Sequence, residues 1–184
     1  GVHSGDASGL VPSSFRIMRQ VLDRLEDSKT GRLLPQSFHC EVPADRLLQA
    51  QATAKILGEE IYKRFPWAHY DCEGSSTFAL PTTTEPVEAL LNRTWRPTLS
   101  VTGAEGFPSF RDAGNVLRPY TAFKLSLRFP PLIDAGAAVQ ELKTLLEDNA
   151  PYQAKVTFES SGGARGWKKK GGEGGGEKEI KDAS

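Results

Sequence analysis

Along the first third of the chain the apolar positions recur at helical spacing. Phe15, Met18, Leu22 and Leu25 form one stripe, which predicts a helix opening near Pro12 and stopping before Thr30-Gly31. Proline suits a first turn, where no backbone N–H is required, and Ser8 or Val11 falls in the cap region. A second helix is expected from Pro43-Ala44-Asp45 to about Lys63, with Leu47, Leu48, Ile56, Leu57 and Ile61 on its buried face. A short helix from Glu85 to Asn92 carries Val87, Leu90 and Leu91. The period then changes to two. Thr98 to Thr102 alternates polar and apolar. So does Ala122 to Phe129, with Phe123, Leu125, Leu127 and Phe129 on one face and Lys124, Ser126 and Arg128 on the other, the signal of half-buried strands. A helix from about Asp134 to Asp148 follows, with Val139, Leu142, Leu145 and Leu146 inward, and then a last strand from Ala154 to Glu159. The order is helix, helical insertion at about residues 35–95, strand, strand, helix, strand. It predicts an α+β fold, a two-layer ferredoxin-like βαββαβ sandwich without its first strand.

Composition narrows the class. The 184 residues hold 38% apolar and 25% charged side chains, and 23 basic groups balance 23 acidic ones. A neutral chain of this kind carries no general affinity for nucleic acid or an acidic membrane. No apolar run approaches the ~20 residues of a membrane span. The N-terminus is neither basic nor followed by a long apolar stretch, so no signal peptide is read there. Two cysteines, Cys40 and Cys72, leave a single disulfide open, but cysteine this sparse is the usual cytosolic pattern. A cytoplasmic location is expected. From Ser160 onward the composition shifts. Residues 168–177 are lysine, glycine and glutamate alone and cannot fill a core, so 1–160 reads as the domain and 161–184 as a linker or an engineered tail.

Three segments in order resemble the dimerisation, or lid, domain of the carnosinase/aminoacylase-type zinc metallopeptidases. Gly1-Val2-His3-Ser4-Gly5 is similar to the segment that opens that lid. Asn115-Val116-Leu117-Arg118-Pro119, with Lys124-Leu125-Ser126-Leu127-Arg128-Phe129-Pro130-Pro131, is similar to its asparagine-to-arginine strand region. Ser161-Gly162-Gly163-Ala164-Arg165-Gly166-Trp167 resembles the turn that leads back to the catalytic domain. The resemblance covers roughly residues 1 to 167. It implies a dimerisation and substrate-capping domain of a dinuclear zinc peptidase that cleaves small peptide or acyl-amide bonds, inactive alone. The implied partners are a second copy and a small peptide. No cofactor is expected in this chain, and two zinc ions are expected in the catalytic domain of the parent. Lids of this family carry a strand ahead of His-Ser-Gly, inside the sheet, and its source is left open. A self-association scaffold or a small-ligand-binding α+β module is the alternative function, since this fold hosts many activities.

The resemblance also assigns residues. His3 is expected to reach across the dimer to the scissile carbonyl or its oxyanion, a task for an imidazole donor. Arg128 is expected to bind the substrate's terminal carboxylate, which a planar guanidinium fork matches, and Asn115 to contact substrate. Ordinary readings compete with each: a free terminal histidine, a sheet-surface arginine, a turn asparagine. His69-Tyr70-Asp71 has the form of the family's zinc motif but lacks the preceding buried strand, and reads as a loop. Glu59-Glu60 lies within the second helix, where adjacent residues do not share a face, and reads as a solvated pair.

Overall fold

The computed structural model describes residues 1–72 and 75–161, apart from the side chains of 69–77. The chain runs β1 (Val2–His3), α1 (Ser4–Ala7), α2 (Ser14–Leu22), α3 (Ala44–Leu57), α4 (Glu60–Lys63), β2 (His69–Cys72), β3 (Ser75–Phe78), α5 (Pro86–Thr94), β4 (Thr98–Glu105), β5 (Val116–Leu117), β6 (Ala122–Arg128) and α6 (Ala135–Glu147). Among the described residues three antiparallel pairs form: β1 with β5, β2 with β3, and β4 with β6. Helices α2 and α6 cover one face of the β4–β6 ribbon. Val21 and Leu25, continued by Leu33 and Phe38, meet Ala138, Leu142 and Leu146, and Leu99, Leu127 and Phe129 close the layer from the sheet side. This is the α+β, ferredoxin-like arrangement that the alternation of periods predicts.

Both covering helices are capped as their sequences demand. The Ser13 hydroxyl accepts from the Arg16 amide at the start of α2, and the Asp134 carboxylate accepts from the Ala137 amide at the start of α6, each satisfying a donor that the helix leaves free. The Arg24 guanidinium donates to the carbonyls of Leu145, Asp148 and Asn149. It thereby terminates α6 and fastens the two helices at one end.

Several expectations change in three dimensions. The row that α2 turns inward is half-buried Ile17 and buried Val21, continued past the helix end by Leu25; it lies one step round the helix from the expected Phe15, Met18 and Leu22. Phe15 turns away to make edge-on contacts with Phe107 and Phe123, at 5.7 and 6.2 Å between ring centroids. The expected second helix is broken by Gly58, whose backbone (φ 50°, ψ −131°) lies outside the helical region and is open only to glycine at low cost. Its apolar residues are not a buried face. Leu48 is 66% and Ile56 83% exposed, Leu47 and Leu57 are exposed as well, and only Ala54 and Ile61 of this stretch are buried. Val101 is exposed too, although it shares a face with Leu99, and just beyond it a bulge between Val101 and Gly103 shifts the register of β4 and ends the simple alternation. The stretch His69–Asp71 is strand β2, paired with β3, and not a loop.

The expected last strand, Ala154 to Glu159, is extended without belonging to a sheet. Its burial alternates, with Val156 and Phe158 inward and Lys155, Thr157 and Glu159 outward. Val156 and Phe158 pack on the same cluster as Leu127 and Phe129. Among the described residues no strand pairs with it. In a split βαβ pair the last strand's neighbour is the first strand, and residues 1–161 place no strand there. The tail beyond Ser161, including Trp167, lies outside the described residues.

Candidate functional site

Two of the three expected site residues are brought together. β1 pairs with β5 so that His3 lies opposite Val116 and Val2 opposite Leu117. The Ser4 amide donates to the Asn115 carbonyl at 2.8 Å, which continues the ladder by one step and holds Asn115 beside His3. The approach is close: a side chain on Gly1 would meet Val116 Cγ1 at 2.6 Å and the Leu117 carbonyl oxygen at 2.7 Å. All of these residues lie on the surface.

The imidazole of His3 is oriented by its own backbone. His3 caps α1, and its Nδ1 accepts from the Gly5 amide at 3.0 Å. A Cβ on Gly5 would come within 3.0 Å of the ring, so the glycine of His-Ser-Gly gives the imidazole its seat. Because Nδ1 is an acceptor, the neutral ring carries its proton on Nε2, the nitrogen left free to donate elsewhere.

Arg128 is at the last position of β6, opposite Thr98. It is exposed, and six strand steps of ~3.3 Å put it about 20 Å along the strand from Ala122. No hydrogen bond or ion pair joins it to His3 or Asn115 among the described residues.

The loop between β4 and β5 has no periodic pattern of apolar residues. It carries Asn115 on its second arm, and its base is locked. Gly106, at φ +93°, lies where a Cβ would fall 2.3 Å from the Tyr120 carbonyl oxygen, and Arg118 Nε donates to the Gly106 carbonyl at 2.9 Å. Glycine at the end of a strand, followed by Pro108 and Ser109, was the available signal.

Elsewhere the titratable groups do structural work. Glu59 pairs with Lys63, whose hydrogen bond and charge hold the Glu59 carboxyl below its ordinary range; Glu59 and Glu60 are both exposed, as a solvated pair should be. Burial pushes the half-buried Cys40 thiol up, which lowers its reactivity at neutral pH. His39 Nε2 lies 2.7 Å from the Leu33 carbonyl oxygen. Among the described residues no three His, Cys, Asp or Glu side chains converge to hold a metal, and no helix is long and apolar enough to cross a membrane. The side chains of His69 and Asp71 lie outside the described set.

The family model for the peptidase dimerisation domain of M20 peptidases matches residues 1–154. This chain belongs to that family. The M20 domain is similar in fold to parts of three solved peptidases. One is the di-peptidase Dug1p from Saccharomyces cerevisiae (20% identity, TM-score 0.56, covering 79% of this chain and 28% of that one). Another is human carnosine dipeptidase 1 (20%, 0.55, 80% and 29%). The third is the M20 family metallo-carboxypeptidase Sso-CP2 from Sulfolobus solfataricus (19%, 0.55, 79% and 35%). The chain thus spans about a third or less of the length of these proteins. No curated protein sequence matches it.

Proposed function

We propose that this M20 domain is the dimerisation and substrate-capping part of a dinuclear zinc peptidase, of dipeptidase type, acting on small peptide or acyl-amide bonds. The observation that carries the reading is the seat of His3. Its Nδ1 is engaged by the Gly5 amide, its Nε2 has no partner among the described residues, and the Ser4–Asn115 bond ties the backbone of Asn115 to the residue next to His3. A preset N–H donor of this kind suits a carbonyl oxygen that gains negative charge during hydrolysis. Asn115 orients the same peptide, and Arg128 holds a terminal carboxylate. Arg128 stands at the far end of β6, so the reading brings it to the substrate from a different copy than His3.

The described residues do not fit zinc, and the metals of the reading belong to a catalytic domain elsewhere in the parent. The function of these residues is to bind, orient and donate.

Subunit exchange tests the assignment. In the full-length parent, His3→Ala is expected to lower kcat by roughly 10²–10³-fold, the cost of one oxyanion donor. Arg128→Ala is expected to act mainly on KM, since a carboxylate is bound in ground and transition states alike. Mixing His3→Ala subunits with subunits dead at the metal site should restore one working site per heterodimer. Heterodimers shown by mass to have formed, yet without activity, would refute the role in trans.

A further inference from the structure

His3 stands on a ribbon outside the central apolar cluster. Strands β1 and β5 are two residues each, and none of Val2, His3, Val116 and Leu117 is buried. The ribbon that α2 and α6 cover is a different one, β4 with β6. A polar tie joins the two at the residue that follows β5. Arg118 Nε donates to the Gly106 carbonyl at 2.9 Å, and Gly106 is the residue that follows β4. The chain segments meet closely there, since a Cβ on Gly106 would fall 2.3 Å from the Tyr120 carbonyl oxygen. The β4 side of this junction is itself fixed. Phe107 lies edge-on to Phe15 of α2, Phe15 lies edge-on to Phe123 of β6, and the Ser14 and Thr121 hydroxyls hydrogen-bond at 2.8 Å.

Arg118 is half-buried and makes no ion pair with a carboxylate among the described residues. Its guanidinium serves the Gly106 carbonyl, to which a charged donor makes the stronger hydrogen bond. Along β5, Arg118 is two residues from Val116, the strand partner of His3, which is about 7 Å at the rise of a strand. We propose that Arg118 is a positioning residue for His3: by holding the end of β5 to the end of β4, it sets the His3 ribbon at a fixed place on the β4–β6 sheet. The proposal rests on the substrate-capping reading above. That reading sends His3 into another copy's site, so the place of its ribbon on its own domain decides where Nε2 arrives. A displacement of about 1 Å at a reacting group can cost on the order of 10²-fold in rate.

The test uses the full-length peptidase with alanyl-alanine as substrate. Arg118→Met keeps the length of the side chain and removes the donor. It is expected to lower kcat roughly tenfold to 10²-fold and to change KM less than about twofold. Arg118→Gln places an amide N–H as many bonds from the backbone as Nε, and should recover most of the loss. In a His3→Ala background, Arg118→Met should cost less than about twofold more, because residues that act through one group are not additive. An unchanged kcat in Arg118→Met would overturn the proposal. Equal losses in Arg118→Met and Arg118→Gln would overturn it in favour of a role for the charge. A full further loss in the double variant would overturn it by showing that Arg118 acts apart from His3. A loss matched by the fraction unfolded in tryptophan fluorescence would reduce Arg118 to a stabilising residue. His3→Ala alone separates the two levels. If it lowers kcat while Arg118→Met does not, only the present proposal falls. If it leaves kcat unchanged, the reading beneath falls as well.

Discussion

At the scale of single residues, apolar side chains of similar size carry opposite weight. Phe38 is 0% exposed and meets Phe129 edge-on at 5.1 Å, at the point where the segment after α2 reaches the sheet. Replacing it with alanine removes the transfer energy of the ring and leaves a cavity in the central cluster. Phe38→Ala should cost about 3–5 kcal/mol, read as a lower midpoint in denaturant with an unchanged slope. Ile56→Lys, at an 83% exposed position, should change stability by less than about 0.5 kcal/mol. A comparable loss from both substitutions would contradict the packing described. Sequence ranks these positions the wrong way round, because Ile56 sits on the more regular helical pattern and Phe38 on a segment with no periodicity.

At the scale of elements, the extended segment after α6 is tied at the Phe158 amide by one carboxylate. Glu147 accepts from Lys143 Nζ at 2.6 Å and from the Phe158 amide at 2.7 Å. These two donors, the ammonium first, hold its carboxyl below the usual carboxylate range. A depressed folded-state value means that the stabilisation is fully present above the ordinary carboxylate pKa, and is lost as pH falls through the depressed one. Amide exchange at Phe158, corrected for its intrinsic pH dependence, is therefore expected to be protected at neutral pH. That protection should fall in strong acid to the level that Glu147→Gln shows already at neutral pH. Protection unchanged in the variant would show that packing of Val156 and Phe158 alone holds the segment.

The whole molecule exposes strand edges. β4 and β6 pair only with each other among the described residues, so each offers an unpaired row of N–H and C=O groups to a further strand. Together with membership of the dimerisation-domain family, this predicts self-association of the 184-residue chain, most simply as a two-fold dimer. Light scattering over a concentration series should show a mass above that of the monomer. A clean monomer at high micromolar concentration would count against it.

What the sequence determined by itself was local or periodic. The alternation of β6, the helix from Asp134 and the three short segments that resemble the peptidase lid all rest on neighbouring residues, whose physics acts over a few positions. Tertiary structure decided everything that depends on what a face meets. It turned α2 by one position because Phe15 found two aromatic rings. It left Leu47, Leu48 and Leu57 of α3 outside and buried Ala54. It withheld a ladder from residues 154–159 because a strand, however well patterned, is made by its neighbour's N–H and C=O groups. It also tied Asn115 to the residue next to His3 through a backbone bond between Ser4 and Asn115, far apart along the chain. Each of these is a matter of distance in space, which no spacing along the chain encodes.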